Sequence, residues 1–259
     1  MSEKLSGMET KHFIIAGAQR SGTTLLAEIL SRHSQIEMAL PLAPEPKYFL
    51  PGKKSACAHA EYLAFFFKNR GSRFILGEKT VSYFETPGAA ELIHACLPDS
   101  KIIFVLRDPV VRAVSNYYFS KAHGFEKRSL EEAFASLEDL LPGSESAGLS
   151  ASPYAYLTRG QYSKMLKPFM ETFGRQNMFI LVQEHWVAND LPLKDLLTFL
   201  GAAPAEEMQI KKEVYWKSSS ETGEIPLTLK TRLSKYYEVW NRALAEQYAL
   251  EIDLWTRGI

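Results

Sequence analysis

Apolar and polar positions fall in blocks along this chain, and the period changes from block to block. Phe13-Ile-Ile-Ala16 is an unbroken apolar run, the pattern of a parallel strand buried on both faces. Beyond Gly17 to Gly22 the period turns helical, with Leu25, Leu26, Ile29 and Leu30 on one face. The same succession recurs. Arg73-Phe-Ile-Leu-Gly77 predicts a short buried strand with Glu78-Lys-Thr80 at its end. Lys101-Ile-Ile-Phe-Val-Leu106 predicts a longer one, which runs into Arg107-Asp-Pro109 and then a helix carrying Val111, Val114, Tyr117 and Tyr118 inward. Asn177-Met-Phe-Ile-Leu-Val182 predicts a third long strand ending at Glu184-His-Trp186. Helices are predicted over Ala58–Asn69, Pro87–Cys96, Ser129–Leu141, Tyr162–Phe173, Leu191–Leu200 and Pro226–Leu250, with Ser129 and Glu132 spaced as a capping box. Ser31 to Pro46, interrupted by Pro41, Pro44 and Pro46, reads as a shaped loop. Pro142 to Pro153 reads as a flexible connection, and Trp216 to Gly223 as a polar loop. Strands alternating with helices, without internal repeats, predict an α/β fold. The expectation is one doubly wound parallel sheet over residues 12–259, behind a disordered tail over residues 1–11.

Two strand-to-helix junctions carry the candidate chemistry. At the first, strand, glycine-bounded loop and helix form a phosphate cradle, in which backbone N–H groups and the helix dipole converge on one spot. The glycine spacing fits the Walker A pattern, but Thr23 stands where a triphosphatase needs Lys, and Thr24 follows. The cation has moved into the loop as Arg20. The alternative is a plain helix start with a glycine turn. At the second junction Arg107 ends a strand at the sheet edge, within reach of Ser115, while Arg112 and Ser115 share a helix face. Lys79 gains interest from position, since ligands of open α/β sheets bind beyond the carboxyl ends of strands.

Bulk composition narrows the class. The chain has 259 residues, enough for one α/β domain with a sizeable core, and 46% hydrophobic content is ordinary for a globular chain. Thirty basic and thirty acidic residues balance, so no global field suggests nucleic acid. Cys57 and Cys96 make no metal spacing; they could pair, but two free buried thiols in a reducing compartment are expected. No apolar run reaches the roughly 18 residues of a membrane span, and no signal core is present, so a cytoplasmic enzyme or an excised module is expected.

The two junctions together resemble the sulfotransferase family, which moves a sulfuryl group from 3′-phosphoadenosine 5′-phosphosulfate (PAPS) to an acceptor. Ala18-Gln-Arg-Ser-Gly-Thr-Thr-Leu-Leu26 is similar to its 5′-phosphosulfate loop, and Leu106-Arg-Asp-Pro-Val-Val-Arg-Ala-Val-Ser115 to its 3′-phosphate site. Many members have Lys at the Arg20 position; the tyrosylprotein branch uses Arg. Glu45-Pro-Lys-Tyr-Phe49 and Gly77-Glu-Lys-Thr-Val-Ser-Tyr-Phe84 resemble segments of the heparan sulfate N- and O-sulfotransferases. Tyr156-Leu-Thr-Arg-Gly-Gln-Tyr162 and Thr198-Phe-Leu-Gly201 are also familial, and Lys217-Ser-Ser-Ser is a weaker match to the Lys-Ser-Lys-Gly loop.

The resemblance implies a P-loop topology like that of nucleoside triphosphate hydrolases, and PAPS as cofactor, with PAP as product and no metal. It implies that Arg20, Ser21, Gly22, Thr23 and Thr24 hold the phosphosulfate. Lys79 would contact its bridge, Arg107 and Ser115 would clamp the 3′-phosphate, and Lys217 and Ser218 would add cofactor contacts. Glu45 is the implied catalytic base; pairing with Lys47 or Lys53 is its structural alternative. His123 or His185, in rim segments, could take the base's place. The acceptor is a small molecule, lipid, acyl chain or carbohydrate. Two other readings stay open: an ATP-dependent P-loop kinase, disfavoured by Arg107 preceding Asp108 at the strand end, and a catalytically dead PAP-binding module.

Overall fold

A computed structural model describes residues 10–52, 59–68, 73–139, 152–189, 192–204 and 224–255. Five parallel strands form one sheet: β1 (Lys11–Gly17), β2 (Ile36–Met38), β3 (Ile75–Lys79), β4 (Lys101–Leu106) and β5 (Met178–Val182), in the order β2-β3-β1-β4-β5. Around it lie α1 (Thr23–Ser31), α2 (His59–Phe66), α3 (Ala89–Cys96), α4 (Pro109–Ala122), α5 (Leu130–Ala133), α6 (Tyr162–Phe173), α7 (Gln183–Asn189), α8 (Leu193–Leu200) and α9 (Leu227–Tyr248). This is the expected doubly wound α/β architecture. β1 begins at Lys11, one residue inside the expected tail.

The strands are apolar throughout because both sheet faces are covered. Alternate residues feed two cores. Ile14, Ala16, Leu76, Ile102 and Phe104 pack with α3, α6 and the end of α9. Phe13, Ile15, Ile103, Val105 and Leu181 pack with α1 and α8. A third cluster joins α4 to α9 through Val110, Val114, Tyr117, Leu233 and Tyr237. Gly17 ends β1 where the Phe84 ring crosses the strand; a Cβ there would sit 2.7 Å from that ring. Only a glycine fits against the ring at that point.

Three expectations change. The shaped loop after α1 contains β2, a three-residue edge strand too short to show a period. The helix predicted over Ser129–Leu141 stops after α5. Its capping box forms as expected, but the Asp139 carboxylate accepts the Leu157 and Thr158 N–H groups (2.6 and 2.8 Å), and Leu137 takes a left-handed backbone (φ 53°). The chain is thus drawn toward the turn before α6 rather than coiled. Cys96 is disulfide-bonded, not a free thiol. The chain's other cysteine, Cys57, lies outside the described residues. Disulfides persist chiefly in oxidising compartments, which removes one support for a cytoplasmic location. Among the described residues no helix is long and apolar enough to cross a membrane.

Candidate functional site

β1, β3 and β4 are parallel neighbours, so their carboxyl ends open onto one edge. The first loop leaves β1 there. Arg20 and Gly22 both adopt left-handed backbone (φ 66° and 89°), which curls the loop into the kind of amide concavity that receives anions. Gly22 is the residue that takes this conformation without a Cβ penalty. α1 then starts at Thr23 with no side chain capping it. Its first amides lack an internal acceptor, as at every helix start. Ser21 is fully buried, and its Oγ has no hydrogen-bond partner. An orphaned hydroxyl in a cradle of unclaimed donors fits an anionic oxygen, so the residues present suit a phosphosulfate.

The two junctions meet at Arg20. Its Nε donates to Ser115 Oγ at 3.2 Å, and its guanidinium lies 4.9 Å over the Phe119 ring. Arg107 Nη1 donates to the Arg20 carbonyl at 3.3 Å. Tyr162 OH in turn donates to the Arg107 carbonyl at 2.9 Å. Burial pulls the Arg107 guanidinium down from its usual pKa, and Glu184 opposes the shift. A guanidinium keeps its proton regardless. Thus Arg107, Ser115 and Arg20 form one cationic corner between α1 and α4.

Asp108 serves α4. Its Oδ1 accepts the Val110 N–H at 2.8 Å, the N-cap contact, and burial lifts its carboxyl to about 6. The Asp108 N–H donates to Glu184 Oε1 (2.9 Å), while Glu184 Oε2 accepts from Trp255 Nε1 (2.7 Å). Glu184 thereby ties the second junction to the end of the described chain. The sequence gives it no such role, since α7 and the Trp255 turn are far apart along the chain.

Lys79 ends β3 almost completely buried. Its Nζ lies 3.2 Å from Thr24 Oγ1 and 3.0 Å from Glu45 Oε1. The other Glu45 oxygen, Oε2, accepts the Val81 N–H at 3.1 Å. Among the described residues the ion-pair partner of Glu45 is therefore Lys79, while Lys53 of the structural alternative lies outside them. Glu45 thus sits between the phosphate loop and β3, held at both oxygens.

Other candidates lie elsewhere. Arg112 is fully buried and turned from the cationic corner, donating to Asn116 Oδ1 (3.3 Å) and the Tyr156 carbonyl. Sharing a face with Ser115 does not bring it to the site, because Tyr156 and Asn116 capture its guanidinium. His123 Nδ1 lies 2.8 Å from the Phe119 carbonyl, and His185 faces Asp253 at 3.4 Å. Lys217 and Ser218 lie outside the described residues.

Residues 10–223 match the sulfotransferase domain family. The chain belongs to the sulfotransferase family. The family's reaction class is sulfuryl transfer, which sets the kinase reading aside. Heparan sulfate glucosamine 3-O-sulfotransferase 3B1 of Mus musculus is 30% identical over 209 residues, covering 78% of this chain and 49% of that protein. The bifunctional heparan sulfate N-deacetylase/N-sulfotransferase of Drosophila melanogaster is 26% identical over 232 residues, covering 81% of this chain and 22% of its own. The chain spans about half the length, or less, of the curated relatives it matches. A sulfotransferase from Alicyclobacillus acidocaldarius shares the fold with a TM-score of 0.75 at 23% identity, over 96% of this chain and all of that one.

Proposed function

We propose that this chain transfers a sulfuryl group from PAPS to a hydroxyl or amine, with Glu45 as general base. The observation that carries the reading is the Lys79 ammonium, which bridges Thr24 at the start of α1 and Glu45 within about one hydrogen-bond length of each. It brings a base and a cation to the mouth of an anion cradle. Bound PAPS would supply the sulfuryl group. The Ser21 to Thr24 loop and Arg20 would hold the 5′ end, and Arg107 with Ser115 the 3′-phosphate. Lys79 and the loop amides would meet the charge that gathers on the leaving oxygen. Glu45 would accept the acceptor's proton as the new bond forms.

The relatives named for heparan sulfate favour a carbohydrate acceptor. Leu40, 64% exposed on the segment leading to Glu45, favours an acceptor with an apolar part. A panel of a glucosaminide, a long-chain alcohol and a phenol, scored by PAP release from PAPS, separates these classes.

The donor is tested by melting the protein with PAP, and separately with ATP plus magnesium. At about a hundredfold its Kd, PAP should raise the melting temperature by about 5–10 °C without magnesium. A rise with ATP and magnesium and none with PAP would refute the donor assignment. Arg107→Ala should weaken PAP by about ten- to a hundredfold, the value of a hydrogen bond to a charged group, and adenosine 5′-phosphosulfate far less. Equal weakening of both nucleotides would remove Arg107 from the 3′-phosphate.

A further inference from the structure

Glu78 neighbours Lys79 on β3 but points to the opposite face, into a core of aromatic rings, where it is fully buried. No lysine, arginine or histidine pairs with it among the described contacts. Three hydroxyls surround it instead. Tyr62 OH donates to Oε2 (2.9 Å), while Thr80 Oγ1 and Tyr83 OH donate to Oε1 (2.8 and 2.6 Å). Burial raises its carboxyl pKa, and these hydroxyls pull the other way.

Two of the hydroxyls do more than satisfy the carboxylate. Thr80 Oγ1 accepts the Lys47 N–H at 3.1 Å, and Tyr83 OH accepts the Phe49 N–H at 3.0 Å. A hydroxyl has one proton to give. Because Glu78 takes both protons, the lone pairs of Thr80 and Tyr83 are left facing the loop, and backbone N–H groups fill them. These amides lie two and four residues beyond Glu45, whose own Oε2 is held by the Val81 N–H. Tyr62 contributes a third hydroxyl but no link to that backbone.

We infer that Glu78 is a positioning residue for the sulfuryl transfer: through Thr80 and Tyr83 it orients the 47–49 backbone and so sets Glu45 against Lys79. The inference rests on Glu45 acting as base. A carboxylate at this point polarises both hydroxyls in one direction. An amide with its oxygen at the Oε1 position still accepts from both and turns only Tyr62, whereas a leucine, with no acceptor, releases both.

The test uses the full chain and the variants Glu78→Leu, Tyr83→Phe and Tyr62→Phe, with amide hydrogen exchange at Lys47 and Phe49, PAP release from PAPS with the acceptor panel, and the PAP-induced melting shift. Exchange at Phe49 should quicken by about tenfold in Glu78→Leu and Tyr83→Phe. Turnover should fall between about ten- and a hundredfold, the effect of misplacing a reacting group by about an ångström. The PAP shift should stay at the parent's size. Tyr62→Phe removes a donor from the same carboxylate, so it should lower the melting temperature while leaving exchange and turnover at the parent's level. Equal turnover losses in Tyr62→Phe and Tyr83→Phe would show a purely structural role and overturn the inference. So would unchanged exchange at both amides in Glu78→Leu; if that variant does not fold, unchanged Phe49 exchange in Tyr83→Phe has the same force. Exchange is read without turnover, so loss of the anchor is told apart from a failure of Glu45 as base, which Glu45→Gln reports.

Discussion

Glu45→Gln should lower turnover by about a hundred- to ten-thousandfold, the usual range for a general base, while PAP binds as it does to the parent chain. The substitution keeps the side chain's shape and an oxygen for the Val81 N–H. It removes the charge that faces Lys79 and the capacity to take a proton. A carboxylate has about four lone-pair positions, and among the described residues Lys79 and Val81 engage two of them. An acceptor hydroxyl can therefore approach without displacing either partner. The check is steady-state PAP release with the acceptor that the panel identifies, beside the PAP melting shift. Unchanged turnover would take the base role from Glu45. Loss of the PAP shift together with turnover would instead make Glu45 a prop of the cofactor cradle.

Lys79→Met should cost about a hundred- to a thousandfold in turnover, comparable to losing one donor that faces developing charge. Met matches the length of the stem and suits a site whose side chain is only 5% exposed. The loss should therefore appear in kcat rather than in folding. Lys79→Arg keeps the charge, but its planar fork does not reproduce an ammonium held between Thr24 Oγ1 and Glu45 Oε1. It should recover only part of the rate. A Met variant with parental turnover and a lowered melting temperature would reduce Lys79 to a structural tie between β3 and α1.

Much of this arrangement could be read before any coordinates. The continuous apolar runs at Phe13 to Ala16 and Lys101 to Leu106 announced strands buried on both faces, because a parallel sheet covered on both sides leaves no polar register. Glycine spacing announced the tight loop between β1 and α1, and the absent lysine set it apart from a triphosphatase loop. What failed was short or set from a distance. β2 is three residues long, and α5 is cut short by Asp139, a carboxylate whose partners lie eighteen and nineteen positions away.

By itself the sequence determined the α/β class, the main strands, the two strand-to-helix junctions and the candidates Arg20, Lys79, Arg107 and Ser115, because periodicity and turn chemistry are local. The tertiary structure alone decided the pairings. It joined Glu45 to Lys79 across 34 positions, brought Arg20 to Ser115 across 95, and turned Arg112 away toward Tyr156. It also sent the adjacent Glu78 and Lys79 to opposite faces of one strand, one into the aromatic core and one to the site. Strand alternation makes neighbours diverge, but which face meets the cradle depends on how the sheet is covered, and that is settled only when the helices pack.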